Sequence, residues 1–285
     1  MIQRLRTYLS FVRFSHSVFA LPFALTGALL ASRQHAVTWR HVAWIVACMV
    51  TARSAAMGFN RLVDARFDAA NPRTASREIP SGRLAPTEAA VFVAVMSAAF
   101  VFAAGQLGWL CLVLSPVALA IIFWYSLAKR YTWATQFFLG LAMAIAPVGG
   151  WLAAGGGAGR EPWLLGLAIA LWVGGFDVLY ACQDFEVDRR QHLRSIPVRF
   201  GIGRSLWISR AMHAGTIVCL AALGAITGLG PIYLVGVAAV AGLLIYEQSL
   251  VSETDLSRVK LAFDLNGYVG ILYFLVTAIS VYAAE

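Results

Sequence analysis

Apolar segments recur along the whole chain, and short polar stretches separate them. Each segment approaches the roughly 20 residues that an α-helix needs to cross the hydrocarbon core of a bilayer. The pattern therefore predicts an all-α integral membrane bundle of nine transmembrane helices, forming a single domain over residues 1–285. The predicted spans are 14–32, 40–62, 88–106, 109–128, 133–153, 163–185, 211–229, 231–250 and 262–283.

Composition favours the same interpretation. The chain is 60% hydrophobic and only 13% charged, whereas charged residues make up about 25% of an average soluble domain. Lipid can cover the apolar surface that such a chain must expose. A net charge of +8 would suggest a nucleic-acid partner in a soluble protein. Here the basic residues lie between apolar runs, so we expect no nucleic acid and a lipid bilayer instead.

Positive charge is distributed unevenly between the two sides of the predicted topology. Most of the 22 Lys and Arg residues lie near the N-terminus and in alternate loops, including the two largest, 63–87 and 186–210. Arg33, Arg40 and Arg160 fall on the opposite side. Because cytoplasmic loops are enriched in Lys and Arg, we predict a cytoplasmic N-terminus and an outside C-terminus. We expect the protein in the inner membrane of a bacterium.

Two groups of polar residues lie at predicted cytoplasmic helix ends. Within each group the members are spaced by four or seven residues, so on a continuous helix they share one face. The first group is Asn60, Asp64 and Asp68. The second group is Asp177, Asp184 and Asp188.

Each group forms a column of acidic side chains, and like charges at this spacing repel one another. A divalent cation would remove the repulsion. Mg²⁺ typically takes one or two carboxylates and fills its other positions with water and substrate phosphate oxygens. We therefore predict that the two groups face each other and hold Mg²⁺ and, through it, a diphosphate. The alternative is that these acids are ordinary solvated residues at helix ends.

Basic residues accompany both groups. Arg53 lies seven residues before Asn60, on the same helix face and about two turns deeper. It is either a functional residue, as intramembrane arginines usually are, or half of a buried ion pair with an acid such as Asp177. Some loop arginines are expected to bind phosphate and the others to contact lipid headgroups. The residues predicted to bind diphosphate or substrate are Arg53, Asn60, Arg66, Arg73, Lys129, Arg130, Asp177 and Arg194.

The motifs resemble those of a known family. The first group and the segment 71–82 that follows it resemble the first motif of the UbiA superfamily of intramembrane prenyltransferases. The second group, with Tyr180 between its acids, resembles the second motif, as found in 4-hydroxybenzoate polyprenyltransferases. The resemblance implies a bundle around a central cavity, capped on the cytoplasmic side by the two large loops. It also implies that Mg²⁺ and the donor diphosphate are bound by Asn60, Asp64, Asp68, Asp184 and Asp188.

The same resemblance implies an activity. It is the Mg²⁺-dependent transfer of a polyprenyl group from polyprenyl diphosphate to a ring carbon of an aromatic acid, with 4-hydroxybenzoate, in ubiquinone biosynthesis, as the first candidate. Tyr180 either shields the allylic cation, orients the acceptor, or only packs. Arg53 or Arg130 is expected to receive the acceptor carboxylate. The residues expected to act in catalysis are Asp64, Asp68, Asp184, Asp188 and Tyr180.

One position departs from many relatives and leaves the acceptor open. Arg61 follows Asn60, where an aspartate is common in the family. This form resembles a branch that includes proteins of the futalosine route to menaquinone, for which the acceptor would be a dihydroxynaphthoic acid.

A membrane transporter is the alternative from another functional class. It predicts acidic residues at mid-membrane on broken helices, whereas these acids lie at predicted helix ends.

Overall fold

The computed structural model describes residues 7, 8, 10–12 and 20–283. The regular secondary structure in this part of the chain is entirely helical, which confirms the all-α prediction. From Leu21 to Ala181 the helices are α1 Leu21–Ala31, α2 Trp39–Ala70, α3 Pro86–Gly105, α4 Trp109–Tyr131, α5 Thr135–Ala153 and α6 Glu161–Ala181. A 3₁₀ turn, Cys182–Asp184, leads into α7 Phe185–Arg190, α8 Ile196–Phe200, α9 Ile202–Thr227, α10 Gly230–Ser249 and α11 Val259–Ala283.

Eight helical segments in the described part of the chain are long and apolar enough to cross a membrane. The predicted first span, 14–32, begins outside the described residues, and its described part is the 11-residue apolar helix α1. The nine predicted spans therefore correspond to these eight segments and α1. Large apolar side chains point outward from the bundle, for example Trp39 at 84% and Ile245 at 71% exposure. Lipid is the solvent that such surfaces require.

Helix α2 is longer than the sequence pattern predicted. It ends at Ala70 rather than at residue 62, so that the first acidic group lies entirely on helix. The physical reason for the end point is Pro72, because the ring of a proline disfavours helical geometry at the preceding residue. Asn71 accordingly adopts an extended conformation, with φ −103° and ψ 117°.

The predicted loop 186–210 is wrong in extent. Short helices α7 and α8 occupy much of it, and α9 begins at Ile202 rather than at residue 211. Ser195 caps α8, since its hydroxyl accepts a hydrogen bond from the Val198 amide at 3.4 Å. Gly201 then separates α8 from α9 with a φ of +81°, a conformation that glycine adopts readily. The polar segment is thus a folded cap rather than an open loop.

Close helix contacts hold the centre of the bundle together. Helix α5 packs against α1, α4 and α6, and α6 packs in turn against α9. At Gly150 a Cβ atom would lie only 1.9 Å from the backbone oxygen of Ala24 on α1. At Gly140 a Cβ atom would lie 2.2 Å from the backbone oxygen of Ala170 on α6. Small residues let backbones approach closely where lipid provides no hydrophobic force between helices.

Candidate active site

The first acidic group meets the end of α4. Asp64 is only 2% exposed. Its carboxylate lies 2.6 Å from Lys129 Nζ and 3.2 Å from Arg130 Nη2. Asn60 Nδ2 donates to the same carboxylate over 3.4 Å. These contacts show that α2 and α4 end on the same side of the bundle.

The loop that follows α2 folds back onto the same face. Arg77 Nη1 lies 2.8 Å from both carboxylate oxygens of Asp68. The hydroxyl of Thr74 donates to the backbone oxygen of Asp68 over 3.0 Å. Arg77 has no individual role predicted from sequence, since nothing in the sequence distinguishes it from the other arginines of this loop.

Arg73 joins the two acidic groups. Its Nη2 lies 2.6 Å from Asp184 Oδ2, and its Nη1 donates to the Tyr180 hydroxyl over 3.1 Å. The guanidinium carbon also lies 5.7 Å from the centre of the Tyr180 ring. Burial alone would lower the pKa of Arg73. The charge of Asp184 and the hydrogen bonds to Asp184 and Tyr180 outweigh burial, and the pKa of Arg73 lies above its ordinary value.

Asp188 completes the convergence of the two groups. It lies close enough to Asp184, Asp64, Lys129 and Arg73 for their charges to interact. Asp177 lies deeper and interacts in the same way with Asp184 and Asp188. The 3₁₀ turn Cys182–Asp184 interrupts the continuous α-helical stripe that the spacing predicted. Asp188 nevertheless interacts with Asp64 of the first group as well as with Asp184, so the two groups converge in one polar compartment, formed by these acids and their basic partners.

The remaining predicted residues are distributed differently. Arg53 lies deeper on α2, where its charge interacts with Tyr125 on α4. Arg66 is exposed, and among the contacts of the described residues none links its side chain to the carboxylates. Arg194 is used at the end of α4, because its Nη1 donates to the Tyr131 oxygen over 2.6 Å and its amide donates to the Lys129 oxygen over 2.7 Å. Basic side chains commonly cap the last carbonyls of a helix in this way.

A row of aromatic rings leads from the polar compartment into the bundle. The row begins at Tyr180, whose ring centre lies 4.9 Å from that of Phe263 on α11. It continues to Phe176 at 5.6 Å, to Trp172 at a further 5.6 Å, and to Phe23 on α1 at a further 4.9 Å. The α6 members are spaced by four residues and therefore share one helix face. The row gives the acids an apolar, aromatic neighbour.

The donor atoms fit a Mg²⁺ ion that arrives with a phosphate ligand. Within the described residues, no three or more His, Cys, Asp and Glu side chains form a metal site by themselves. The carboxylates are instead neutralised by Lys129, Arg130, Arg77 and Arg73. A compartment of oxygen donors that already attracts cations matches the preference of Mg²⁺ for one or two carboxylates plus phosphate oxygens.

Arg61, the residue that departs from many relatives, lies outside this compartment. Arg61 pairs with Glu78, and the side chains of the pair are only 5% and 3% exposed. The departure at position 61 is therefore not a substitution at the carboxylate cluster itself. Nothing in the sequence alone paired these two residues, which are 17 positions apart.

The chain is similar in sequence to known proteins. The model of the UbiA prenyltransferase family matches residues 20–276. A 4-hydroxybenzoate octaprenyltransferase from Aliivibrio fischeri is 31% identical over 243 residues, covering 85% of this chain and 84% of the relative. The protein of the same name from Escherichia fergusonii is 31% identical over 242 residues, covering 83% of each.

Solved structures show the same fold. A UbiA homolog from Aeropyrum pernix K1, in its apo form, is 35% identical with a TM-score of 0.85, covering 93% of this chain and 98% of that one. A UbiA homolog from Archaeoglobus fulgidus bound to GPP and Mg²⁺ is 17% identical with a TM-score of 0.74, covering 97% of this chain and 99% of that one. At that identity the second likeness shows the fold alone.

Proposed function

Since this chain belongs to the UbiA prenyltransferase family and is a prenyltransferase, we propose that it prenylates an aromatic acid. The donor is a polyprenyl diphosphate, and the group is transferred to a ring carbon of the acceptor, 4-hydroxybenzoate, in ubiquinone biosynthesis. Family membership also decides against the transporter alternative. The names of two relatives that are each 31% identical support the choice of acceptor.

One observation carries the proposal. Arg73, on the loop after the first acidic group, contacts Asp184 and Tyr180 of the second group. This contact joins residues that are 111 positions apart in the chain. The two acidic motifs therefore meet in space and act on one bound molecule. A diphosphate carries enough oxygen atoms to be shared between them.

The metal ligands in this proposal are Asn60, Asp64, Asp68, Asp184 and Asp188. When bound, Mg²⁺ supplies positive charge that neutralises the diphosphate and the pyrophosphate leaving group. Lys129, Arg130, Arg73 and Arg77 already lie on these carboxylates. Their side chains are within reach of any diphosphate that the carboxylates hold through a cation.

The reaction separates charge, and the basic side chains stabilise that separation. The C1–O bond of the donor breaks, and pyrophosphate leaves with the electron pair, so that positive charge develops on the allylic carbon. Lys129, Arg130, Arg73 and Arg77 stabilise the leaving pyrophosphate. A ring carbon of the acceptor then bonds to C1, and the ring proton passes to a base or to water. In this proposal the ring of Tyr180, whose centre lies 5.7 Å from the Arg73 guanidinium carbon, stabilises the developing cation.

The aromatic row keeps the site dry. Phe263, Phe176 and Trp172 extend the apolar surface from Tyr180 into the bundle. Exclusion of water matters because water would otherwise trap an allylic cation as an alcohol. We propose that the isoprenoid chain enters from the bilayer and lies in the apolar part of the bundle, with its diphosphate at the cytoplasmic end.

A dihydroxynaphthoic acid, in menaquinone biosynthesis, is the second candidate acceptor. The form of the first motif, with Arg61 after Asn60, favours it. Arg61 pairs with Glu78, so it does not itself bind the acceptor. Arg53 and Arg130 are the candidates for the acceptor carboxylate, because Arg53 lies deeper on α2 and Arg130 lies beside Asp64. Either acceptor presents a carboxylate and an electron-rich ring to the same compartment.

An acceptor panel tests the proposal. The purified chain in nanodiscs is incubated with Mg²⁺, donors from geranyl to octaprenyl diphosphate, and either 4-hydroxybenzoate or a dihydroxynaphthoate. We expect pyrophosphate and a ring-prenylated product with 4-hydroxybenzoate, and a loss of about 100-fold or more in Asp64→Asn and Asp184→Asn. Asp255→Asn, at an exposed loop acid, is the matched control. Prenylation of the naphthoate alone would replace the first acceptor by the second, and undiminished turnover in both acidic variants would refute the mechanism.

A further inference from the structure

A buried ion pair links α2 to the active-site loop, which is the segment 71–85 between α2 and α3. Arg61 on α2 pairs with Glu78 in the loop, and their side chains are 5% and 3% exposed. Ser10 Oγ donates to Glu78 Oε1 over 2.6 Å, and Arg83 Nη2 lies 4.0 Å from the same oxygen. The guanidinium of Arg61 also lies 6.0 Å from the ring centre of Phe11. Three parts of the chain, the N-terminal segment, α2 and the loop, therefore meet at one carboxylate.

The pair is separate from the carboxylate cluster. Position 61 is about 100° around the helix from Asn60, whereas Asn60 and Asp64 share one face. An apolar cluster, whose buried members are Phe11, Val12, Leu84 and Ala89, adjoins the pair through the contact of Phe11 with Arg61. Burying two charges is costly, and well-packed apolar residues usually stabilise a fold at least as well. Stability alone therefore does not account for an ion pair at this place.

The loop couples Glu78 rigidly to the active-site arginines. Glu78 directly follows Arg77, which lies on Asp68. Hydrogen bonds between backbone groups span the segment, from the Thr74 amide to the Asn71 oxygen and from the Arg77 amide to the Thr74 oxygen, each 2.9 Å long. The Leu84 amide closes the loop onto the Glu78 oxygen at 3.1 Å. A displacement of Glu78 would therefore move Arg77 and Arg73 with it.

We propose that Arg61 and Glu78 are positioning residues that hold Arg73 and Arg77 at the diphosphate site. This inference rests on the proposed function for the role of those two arginines. The Arg61–Glu78 pair, the anchor of the loop, lies outside the site. It therefore keeps the loop in place when Arg73 and Arg77 exchange a carboxylate partner for a substrate phosphate. A loop held only by its contacts to Asp68 and Asp184 would lose its hold at that moment.

Limited proteolysis reports whether the Arg61–Glu78 pair holds the loop in place, and it does not depend on prenyl-transfer activity. The loop carries trypsin sites after Arg73, Arg77 and Arg83. In nanodiscs we expect Arg61→Glu and Glu78→Arg to raise cleavage after Arg73 and Arg83 about 10- to 100-fold, because breaking a buried pair leaves an unpaired charge; the bond after Arg77 is left out, since replacing Glu78 changes that site itself. The double variant that exchanges the two charges is expected to restore protection. Arg204→Glu, an exposed basic residue outside the site, is the matched control and is expected to change nothing at the loop.

Donor kinetics then connect the anchor to the reaction. The single variants should raise KM for the polyprenyl diphosphate about tenfold, with a smaller change in kcat, since a freely moving loop binds the diphosphate less well. The charge exchange should restore KM. Glu78→Gln keeps the shape of the side chain and should shift cleavage and KM in the same direction by less, so the test does not depend on the folding of the reversed-charge variants.

The outcomes separate the two proposals. Wild-type cleavage and KM in the single variants, or a double variant that restores neither, would overturn the positioning role. If the wild-type chain transfers no prenyl group to any acceptor while cleavage follows the expected order, the anchoring of the loop stands and the proposed function fails.

Discussion

The guanidinium of Arg73 lies 2.6 Å from the carboxylate of Asp184, across 111 residues of sequence. This contact joins the loop that follows α2 to the end of α6. It brings the basic residues of one half of the chain to the acidic motif of the other half. With this contact, Asp64, Asp68 and Asp184 each have a Lys or Arg side chain within 2.8 Å that balances the carboxylate charge.

Replacement of Arg73 tests this relationship directly. Arg73→Gln removes the charge that Asp184 and the diphosphate are expected to share, and kcat/KM for the donor should fall about 10- to 100-fold. Arg73→Lys keeps the charge but lacks the planar fork that reaches Asp184 and Tyr180 together, so its loss should be intermediate. Steady-state kinetics on both variants, with Arg204→Gln as control, check the order. Equal activity in all three would show that Arg73 has no part in donor binding.

Two variants of Tyr180 separate the contribution of its ring from that of its hydroxyl. Tyr180→Phe loses only the hydrogen bond from Arg73, so kcat should fall by no more than about 10-fold. Tyr180→Ala also loses the aromatic face beside the developing cation, and kcat should fall by about 30-fold or more. Pre-steady-state measurement of pyrophosphate release distinguishes the two. If Phe were as damaging as Ala, the hydroxyl rather than the ring would be the functional part.

Two adjacent glycines provide a matched test of the packing between α1 and α5. A Cβ atom on Gly150 would lie 1.9 Å from the Ala24 oxygen, whereas one on Gly149 would meet nothing within 4 Å. Gly150→Ala should lower the free energy of unfolding by about 1–3 kcal/mol or more, because the helices must separate. Gly149→Ala should change it little. Thermal unfolding in detergent measures both, and equal melting temperatures would contradict the close contact.

The buried carboxylate of Glu78 is expected to make the folding stability of the protein depend on pH. Burial would raise the pKa of Glu78, but the hydrogen bond from Ser10, a backbone hydrogen bond and the charges of Arg61 and Arg83 outweigh it and lower the pKa. A lowered folded-state pKa gives stability that is fully present above the unfolded pKa of about 4.3 and is lost as the pH falls through the folded value.

Glu78→Gln supplies the reference for that measurement, because glutamine does not titrate. The excess melting temperature of the wild type over the variant should stay constant from neutral pH to about pH 5 and shrink below the unfolded pKa of about 4.3. Melting curves of both proteins across this range are the measurement. An excess that grows as the pH falls would have the wrong sign for a stabilised carboxylate.

Sequence patterns predicted the architecture well for a physical reason. Transmembrane helices satisfy their own backbone hydrogen bonds, so a run of apolar residues reports a helix almost independently of its neighbours. Spacing by four residues placed Asn60, Asp64 and Asp68 on one face for the same reason, since helix geometry is local. Boundaries were less predictable at polar ends, as the extension of α2 to Ala70 and the early start of α9 at Ile202 show.

The sequence by itself determined a membrane bundle with two acidic motifs and a surplus of arginines on one side. The tertiary structure alone decided which arginine meets which acid. Arg73 and Arg77 reach the carboxylates, Arg194 caps α4, and Arg61 pairs with Glu78 behind the loop. All four carry the same charged group in similar polar segments. Their partners follow from how the helix ends and loops pack in three dimensions, and no local pattern encodes that packing.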